Sequence, residues 1–410
     1  MRLRIHHGAA QIGGNCIELE SAGQRLLLDL GLPLESEPAM PPVAGLVRDD
    51  PSFLGVVLSH PHLDHYGLLP LARPDLPVWL GAGAKQMLAA AAPFTAGAVL
   101  PQVISPYRDG ETFAAGRFRI TPYLMDHSAY DAHALLVEAD GQRLFYTGDF
   151  RGHGRKAGVF RRFLAAPPAN VDVLLMEGTT IGRAEGPVSE RDVEGEACAL
   201  MRRHAGLVLV CFSGQNIDRF VTFFRASVRS GRIFVIDAYM ANLIEALELP
   251  SLPDPRTHPN LRVFLPKAQK RMIIASRRFD LVDRFRSRRI YREELMRGPS
   301  RFTMMFRASM AADLVGAKLE GGCLIYSLWP GYLERDRVDL RDWARNAGAA
   351  FEVVHSSGHA DRADLARMAK AIDPRWLIPI HTHHPEAYPE LFPRVRPLPN
   401  GTWLDLSAPG

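Results

Sequence analysis

The sequence predicts an α/β protein in which a β-rich domain is interrupted by an inserted α/β domain. Over roughly the first 180 residues, short apolar runs bounded by glycine, proline and aspartate indicate strands joined by tight turns. From about residue 190, helical and strand patterns alternate, which is typical of a parallel sheet. Short strands return near the C-terminus. We therefore expect the outer domain at residues 1–190 and 350–410 and the inserted domain at residues 191–349.

Hydrophobic periodicity places the individual elements. In the first segment we predict strands at residues 16–20, 25–30, 56–59, 78–80, 117–121, 134–138, 144–147 and 171–176, and helices at residues 67–72 and 84–92. In the insertion we predict helices at residues 190–204, 217–230 and 241–248, and strands at residues 207–212, 232–237 and 323–328. The last segment is expected to hold strands at residues 351–355, 376–380 and 402–406 and a helix at residues 360–372.

Composition indicates a soluble globular protein and gives no sign of a membrane span. Of the 410 residues 47% are hydrophobic and 23% are charged, which is ordinary for a protein with a sizeable core. No apolar run approaches the ~18 residues that a membrane span requires. The N-terminus enters a strand-like pattern without the apolar core of a signal peptide. The four cysteines are far apart and form no C-x-x-C pair, so we expect buried, reduced thiols and a cytoplasmic location.

One segment concentrates metal-binding side chains. His60-Pro61-His62-Leu63-Asp64-His65 directly follows an apolar run at residues 54–58. A strand that ends there projects His60 and His62 in one direction, and Asp64 and His65 open the next helix toward the same space. Four such ligands converging on one point suit two adjacent divalent metals better than one. The alternative is a histidine-rich polar loop without a ligand role.

Three later segments also end a predicted strand with a metal-capable side chain: His127, Asp149 and His381. A single histidine at a strand end is more often a satisfied polar residue than a ligand. The combination favours a metal site, because all three positions share the context of the first motif.

With these motifs, the sequence resembles the metallo-β-lactamase superfamily and, within it, the β-CASP nucleases, the group that contains ribonuclease J. The positions that match the superfamily's motifs in order are Asp29, His60, His62, Asp64, His65, His127 and Asp149. Three further motifs of the β-CASP group match Glu177, His359 and His381, and the stretch at residues 212–219 is similar to the start of that group's insertion. The resemblance implies an αββα sandwich with an inserted α/β cap domain, the β-CASP domain.

The resemblance also implies roles for these residues. His60, His62 and His127 would hold one metal, Asp64, His65 and His381 the second, and Asp149 would bridge them. Zinc is the expected metal and manganese the second choice, because imidazole and carboxylate ligands do not decide between them. His359 is the candidate general acid, with Glu177 oriented against its imidazole, and Asp64 is placed with them among the catalytic residues. The alternative is that His359 is a loop histidine and Glu177 a surface acid.

The sequence departs from ribonuclease J in two places. Thr382-His383-His384-Pro385 follows His381, where ribonuclease J usually has Gly-Glu. The sequence also stops at Gly410, without the C-terminal domain that ribonuclease J uses for dimer contacts. We therefore expect either a monomer or a homodimer.

The insertion contains the candidate contacts to phosphate and RNA. Between residues 271 and 307 there are 11 arginines against four acidic residues, and arginine suits bidentate phosphate contact. Four of these arginines, together with two polar residues of a small-residue turn before a predicted helix, are candidates: Ser213, Asn216, Arg277, Arg278, Arg288 and Arg289. The alternatives are a solvated basic helix face and an ordinary helix N-cap.

We expect a metal-dependent nuclease that hydrolyses single-stranded RNA, as an endonuclease, a 5′-exonuclease or both. Two alternatives keep the metal centre: a hydrolase of a small ester, thioester or cyclic phosphodiester, and a DNA-directed β-CASP nuclease. A third class is a non-catalytic scaffold, which the complete ligand set disfavours.

Overall fold

The computed structural model describes residues 1–95, 100–183, 186–334 and 338–407. The strands are β1 (Arg2–His7), β2 (Cys16–Ser21), β3 (Gln24–Leu28), β4 (Phe53–Val57), β5 (Pro77–Gly81), β6 (Val103–Tyr107), β7 (Phe113–Ala115), β8 (Phe118–Leu124), β9 (His133–Ala139), β10 (Gln142–Tyr146), β11 (Val173–Glu177), β12 (Val208–Cys211), β13 (Ile233–Asp237), β14 (Leu261–Phe264), β15 (Phe302–Met305), β16 (Cys323–Tyr326), β17 (Ala350–Val353), β18 (Trp376–Ile380) and β19 (Trp403–Asp405).

The α-helices are α1 (Leu63–Tyr66), α2 (Ala82–Ala91), α3 (Ala157–Ala165), α4 (Glu190–Arg203), α5 (Ile217–Arg229), α6 (Ala238–Ala246), α7 (Lys267–Ser276), α8 (Asp280–Asp283), α9 (Arg292–Arg297), α10 (Leu340–Asn346), α11 (Arg362–Ile372) and α12 (Tyr388–Leu391). Short 3₁₀ helices lie at Leu69–Leu71, Ala92–Phe94, Arg286–Arg288, Pro299–Arg301, Ala308–Asp313, Pro330–Glu334 and Pro385–Ala387. None of these helices is long and apolar enough to cross a membrane.

The chain divides into two compact units. The first contains the chain up to Pro187, apart from a short segment near residue 95, and resumes at Gly358. The second, which we call the inserted unit, contains Val188–Ser357.

The first unit is an αββα sandwich, as the sequence predicts. Among the described residues, one sheet has the order β19-β1-β2-β3-β4-β5-β6 and the other the order β18-β11-β10-β9-β8-β7. Apolar side chains from both sheets, such as Leu19, Leu135 and Ile378, form the core between them. On the outer faces, α2 covers the first sheet, and α3 and α11 cover the second. Each sheet therefore buries both faces, and its polar groups emerge at strand ends.

The inserted unit is built on a parallel sheet, as the βα alternation predicts. The order of its described strands is β14-β13-β15-β12-β16-β17, and every neighbouring pair is parallel. Its strand segments read as continuous apolar runs because both faces of the sheet are buried. The carboxyl ends of these strands consequently share one edge of the sheet.

Three local expectations differ from the structure. The strand β17 pairs with β16 in the inserted unit, so the predicted boundary between residues 349 and 350 falls inside that sheet. The helix predicted at residues 67–72 is wrong: α1 ends before Gly67, and Pro70, which has no N–H to continue α1, lies inside the 3₁₀ helix at Leu69–Leu71. The strands β6, β7, β14 and β15 and the helices α3, α7, α8, α9, α10 and α12 went unpredicted; β6 is a largely exposed edge strand, which carries little apolar signal.

A buried carboxylate joins the first strands of the first unit. Glu18 on β2 lies inside a group of cationic and imidazole side chains: Arg4, His6 and Arg25 contact its two oxygens at 2.6, 2.8 and 3.1 Å. Burial opposes the ionised form, but these hydrogen bonds lower the pKa of Glu18 to about 2.

Because the pKa of Glu18 is lower in the folded protein than in the unfolded chain, its contribution to stability is complete above pH ~4.5 and disappears as the pH falls toward 2. We expect Glu18→Gln to reduce the free energy of unfolding at pH 7 by about 2 kcal/mol, with solvent screening at the partly exposed arginines included. The difference from the wild type should shrink at pH 4. Urea unfolding at both pH values measures it, and Glu20→Gln, which alters a more exposed ion pair on the same strand, is the control. An equal loss for both variants would contradict this account.

Candidate metal centre

Three histidines form the first potential ligand group. Ligand atoms of His60, His62 and His127 all lie within 4.8 Å of one another. His127 Nδ1 lies 2.6 Å from the Gly358 carbonyl, so this nitrogen carries the proton and Nε2 is free to bind a metal. His62 Nδ1 lies 3.2 Å from that Nε2. His60 Nδ1 contacts Ser59 Oγ at 3.0 Å, and its buried Nε2 has no hydrogen-bond partner among the described residues.

A second group adjoins the first and contains two carboxylates. Its ligand atoms come from Asp64, His65, Asp149 and His381. Asp149 Oδ2 lies 3.1 Å from His65 Nε2 and 3.6 Å from His60 Nε2, so this carboxylate faces both groups. His381 Nε2 lies 3.3 Å from Asp64 Oδ2. The structure thus brings together all seven side chains that the sequence marks as ligands.

Strand ends explain this convergence. His60 follows β4, and Asp149, Glu177 and His381 lie at or just beyond the ends of β10, β11 and β18. The pairings β10–β11 and β11–β18 are parallel, so the carboxyl ends of these three strands lie side by side. His381 adopts a left-handed backbone conformation with φ of 54°. Few residues other than glycine adopt this conformation, and those that do are often found at functional sites.

Asp29 supports the centre from behind. Its buried carboxylate accepts hydrogen bonds from the Ser59 backbone N–H, the Ser59 hydroxyl and the Tyr146 hydroxyl, each at 2.7 Å. It also lies 2.7 Å from His65 Nδ1, which turns Nε2 of that ring toward Asp149. A carboxylate behind a histidine ligand fixes the ring and raises its basicity.

Burial and charge set the protonation of these groups. Burial, reinforced by neighbouring imidazoles, lowers the pKa of His60 and His127 well below the usual value and that of His62 to about 4. For Asp149, burial opposes ionisation, but His381 and His65 lower the pKa well below its normal range. For His65, burial is outweighed by Asp149 and Asp29, which raise its pKa.

The donor set therefore fits divalent cations. Neutral imidazoles and ionised carboxylates are the forms that bind metals. The unpartnered, buried atoms His60 Nε2 and Asp149 Oδ1 supply an independent indication, because orphaned buried polar atoms are costly unless something binds them.

His359 and Glu177 form a pair beside this group. His359 Nδ1 lies 3.2 and 3.3 Å from the two Glu177 oxygens and 3.7 Å from Asp149 Oδ2. Burial disfavours the imidazolium, but Glu177 and Asp149 outweigh it and raise the pKa of His359 to about 9. Glu177 is held by backbone N–H groups of Phe150 and Thr179 at 3.1 and 3.2 Å. It is not a surface acid: its side chain is fully buried.

Sequence reasoning missed two features of the centre. The Thr179 hydroxyl lies between His381 Nδ1 at 2.8 Å and His359 Nδ1 at 3.1 Å. The buried side chains of Arg151 and Asp126 pair at 3.4 Å, and the Arg151 N–H donates to the Asp126 carbonyl, which joins the loops of His127 and Asp149. The sequence signal was their position next to the candidate site residues. Thr179 lies two residues after Glu177, Arg151 lies two residues after Asp149, and Asp126 directly precedes His127.

The candidate RNA contacts all belong to the inserted unit. Ser213 is exposed, and Asn216 is the N-cap of α5, where its side chain accepts the Arg219 N–H at 2.9 Å. Arg277 and Arg278 are exposed, and Arg278 pairs with Asp280.

The other two arginines of that set are partly engaged elsewhere. Arg288 donates to the carbonyls of Arg256 and Thr257, which precede β14 at the amino-terminal edge of the sheet. Arg289 lies over the ring of Tyr291. The structure therefore does not bring Arg288 to the edge that carries Ser213 and Asn216.

Two family descriptions match the chain. The beta-lactamase superfamily domain matches residues 24–206, and the Zn-dependent metallo-hydrolase RNA specificity domain matches residues 346–388. Together these matches cover more than half of the chain.

Curated relatives are similar over long stretches. Ribonuclease J of Mycobacterium tuberculosis is 28% identical over 249 residues, which are 57% of this chain and 43% of that protein. Ribonuclease J of Sinorhizobium meliloti is 23% identical over 390 residues, 90% of this chain and 66% of that protein. Cleavage and polyadenylation specificity factor 73 of Drosophila melanogaster is 28% identical over 200 residues, 42% of this chain and 28% of that protein. The chain thus spans about half to two thirds of the length of the ribonuclease J relatives.

Among solved structures, a protein of unknown function from Enterococcus faecalis V583 has the same fold. Its TM-score is 0.80 at 22% identity, and the match covers 98% of this chain and 99% of that one.

The fold and the ordered ligand motifs define a metallo-β-lactamase-fold protein, and the chain belongs to that superfamily. Within the superfamily it is a ribonuclease J-like member of the β-CASP group, as the sequence predicts.

The support that Asp29 gives to the centre is testable. We expect Asp29→Asn to weaken metal binding about 10- to 100-fold, because the neutral amide no longer fixes His65 and Ser59 as the carboxylate does. Competition with a chromophoric chelator measures the affinity, and thermal unfolding of the metal-free protein reports whether the fold survives. Asp50→Asn, at a partly exposed loop position whose carboxylate contacts Ser52 and Arg25 and no ligand residue, is the control. Wild-type metal affinity in a folded Asp29→Asn protein would contradict the assignment.

Proposed function

We propose that the protein is a metal-dependent ribonuclease that hydrolyses phosphodiester bonds of single-stranded RNA, in endonucleolytic or 5′-exonucleolytic mode. The observation that carries the proposal is the junction of the two ligand groups at Asp149, with the His359–Glu177 pair beside it. The relatives named ribonuclease J and the match to an RNA specificity domain support RNA as the substrate.

We assign His60, His62 and His127 to one metal and Asp64, His65 and His381 to the other, with Asp149 shared between them. Two bound metals supply a hydroxide at neutral pH and neutralise the phosphate under attack. Zinc fits this imidazole-rich set and agrees with the family description, and manganese is the second candidate.

A side chain of the protein would donate the proton that the leaving oxygen needs. His359 presents Nδ1 to Glu177, and we assign its Nε2–H as the donor of a proton to the leaving oxygen. The raised pKa of His359 keeps the imidazole protonated at neutral pH, which suits a general acid. Glu177, held by backbone N–H groups, acts as the partner that orients this ring and stabilises its charge.

The four buried, free cysteines support the expected compartment, and the similarity to ribonuclease J supports the expected substrate. We propose a cytoplasmic enzyme that acts as a monomer or homodimer, with single-stranded RNA as its partner.

The general-acid role of His359 predicts a selective kinetic defect. We expect His359→Ala to lower kcat on RNA about 10²- to 10⁴-fold while the metal content stays that of the wild type. The loss should be much smaller on a p-nitrophenyl phosphodiester, because that leaving group needs no proton. Steady-state kinetics and elemental analysis provide the two readouts. His384→Ala, at an exposed histidine paired with Glu386, is the matched control. An unchanged kcat on RNA would remove the assignment.

The substrate class can be tested with matched oligonucleotides of RNA and DNA, labelled at either end and bearing a 5′-monophosphate or a 5′-hydroxyl. We expect cleavage of the RNA, with binding that weakens steeply as salt rises because phosphate contacts release counterions. The product ladder on a gel distinguishes endonucleolytic from 5′-exonucleolytic cleavage. A strong preference for DNA, or salt-insensitive hydrolysis of small esters alone, would overturn the proposal.

A further inference from the structure

One edge of the inserted unit's sheet has the topology of a ligand-binding crevice. The neighbouring strands β12 and β15 are parallel, and the chain leaves them in opposite directions: it passes from β12 beyond β15 to β13, and from β15 beyond β12 to β16. Because crossovers between parallel strands are right-handed, these two connections are expected on opposite faces of the sheet. The loops that follow the two strands therefore separate at the carboxyl-terminal edge, and in open α/β sheets ligands bind at such a point.

An arginine that sequence reasoning did not single out lies at this edge. Arg307 follows β15 by two residues, and the Phe306 N–H donates to the Val210 carbonyl at 2.8 Å, which continues the strand pairing up to the arginine. Arg307 Nε donates to Asp237 Oδ2, at the end of β13, over 2.9 Å. The guanidinium also lies over the ring of Tyr239, 4.8 Å from the ring centroid. These contacts fix the side chain, of which 27% remains exposed.

The carboxylate of Asp237 orients the guanidinium without using all of its donors. It is fully buried and accepts three hydrogen bonds, from the Met240 N–H at 2.8 Å, from Gln269 Nε2 at 2.9 Å and from Arg307 Nε. Arg307 Nη2 has one long contact, 3.9 Å from Met305 Sδ, and Nη1 has no hydrogen bond to a described residue. The two terminal nitrogens are thus left for a ligand, and paired donors of this kind match the oxygens of a phosphate.

The loop after β12 packs against the same guanidinium. At Gly214 an added Cβ would come within 2.9 Å of Arg307 Nη2 and 2.6 Å of the Tyr239 ring, so the backbone of this loop lies directly against both groups. Within the described part of the chain, the backbone N–H groups of Gly214 and Gln215 donate to no other residue. The loop therefore adds two unused donors next to the guanidinium, and successive backbone N–H groups in a turn are a common anion-binding element.

Charge indicates the kind of ligand. Residues 188–357 contain 27 lysines and arginines against 20 aspartates and glutamates, whereas the remainder of the chain has 22 against 25. The excess positive charge of the protein is therefore concentrated in the inserted unit, where it attracts a polyanion more strongly than a single small anion. An arginine with paired free donors on a basic unit favours the phosphate backbone of a nucleic acid.

We propose that Arg307 binds a backbone phosphate of single-stranded RNA. Asp237 positions the guanidinium, and the loop at Gly214 contributes backbone N–H groups to the same phosphate. The inference rests on the proposed ribonuclease function and extends it by naming a substrate contact outside the metal centre. Because the contact is to a phosphate, it holds the strand without selecting its sequence.

The test measures binding of a fluorescein-labelled 12-nucleotide RNA with phosphorothioate linkages to the metal-loaded protein by fluorescence anisotropy. We expect Arg307→Gln to raise Kd about 10- to 100-fold, because charge-assisted hydrogen bonds are lost. The slope of log Kd against log salt should become shallower by about 0.7, because one phosphate contact no longer releases a counterion. Arg307→Lys should restore the slope but only part of the affinity, since an ammonium group lacks the fork of paired donors.

Arg256→Gln is the matched control. Arg256 also pairs with an aspartate of the inserted unit, Asp254 at 3.0 Å, but it precedes β14 and lies at the amino-terminal edge of the sheet. Because the same charge is removed, a long-range effect of charge would appear equally in both variants, whereas the loss of a phosphate contact affects Arg307→Gln alone. Thermal unfolding reports whether each variant folds. If Arg307→Gln does not fold, the partial loss of affinity in Arg307→Lys provides the test, and wild-type affinity there would overturn the proposal.

A second measurement identifies the phosphate itself. Single uncharged methylphosphonate linkages along the RNA, each preceded by a 2′-O-methyl ribose for chemical stability, should weaken wild-type binding at one or two positions, and Arg307→Gln should be insensitive at those positions. The effect of Arg307→Gln should be the same for RNA with a 5′-monophosphate and with a 5′-hydroxyl. An effect confined to the 5′-monophosphate would assign the arginine to a terminal phosphate, and an effect confined to competition by a nucleoside 5′-monophosphate would assign it to a small ligand. Either result would overturn the backbone contact.

The outcomes separate the two proposals. If the wild type neither binds nor cleaves RNA, the proposed function fails and the phosphate contact fails with it. If the wild type cleaves RNA and folded Arg307→Gln binds it with the wild-type Kd and salt slope, only the phosphate contact is overturned. An equal loss of affinity in Arg307→Gln and Arg256→Gln would also overturn it, because the arginine would then act only through its charge at long range.

Discussion

The site in the first unit depends on the hydrogen bonds that the buried carboxylate of Asp29 accepts. Asp29 follows β3, and its partners lie after β4, on α1 and at the end of β10. An ionised carboxylate in a water-free interior is tolerated only where hydrogen bonds replace its hydration, and here four donors surround it. Satisfying this group fixes Ser59, His65 and Tyr146 together. The hydrogen bonds that compensate the burial of Asp29 therefore also fix the geometry of the neighbouring ligand residues.

Burial also sets the protonation states of the groups in the centre. Several imidazoles at close range cannot all be charged, and burial lowers the pKa of His60, His62 and His127, which keeps these three neutral. Two carboxylates remain ionised among them because His65, His359 and His381 stabilise the negative charge. The centre therefore combines neutral imidazoles with ionised carboxylates, which are the forms that bind metals. Within each group the ligand atoms lie within 4.8 Å of one another, which is an arrangement that a cation completes.

In the inserted unit, the positive charge and the rigidly held loops lie in different places. The arginine-rich region from residue 271 supplies net positive charge, yet several of its guanidinium groups are engaged locally, as Arg278 is with Asp280 and Arg288 with backbone carbonyls. Fixed geometry lies instead at the carboxyl-terminal edge of the sheet, where Arg219 binds the carbonyls of two loops.

The sequence by itself predicted which side chains would converge and the order of the motifs, and the resemblance that these motifs carry implied the αββα architecture with its insertion. It could do so because strand periodicity and imidazole–carboxylate spacing are local properties of the chain. Only the tertiary structure decided which residues support the ligands. Three contacts join positions that are remote in sequence: Asp29 with His65, Thr179 with His359 and His381, and Arg219 with the Ser327 carbonyl. It also decided that Ala350–Val353 belongs to the inserted sheet, because strand pairing depends on the neighbour available in space and not on the apolar pattern of the strand.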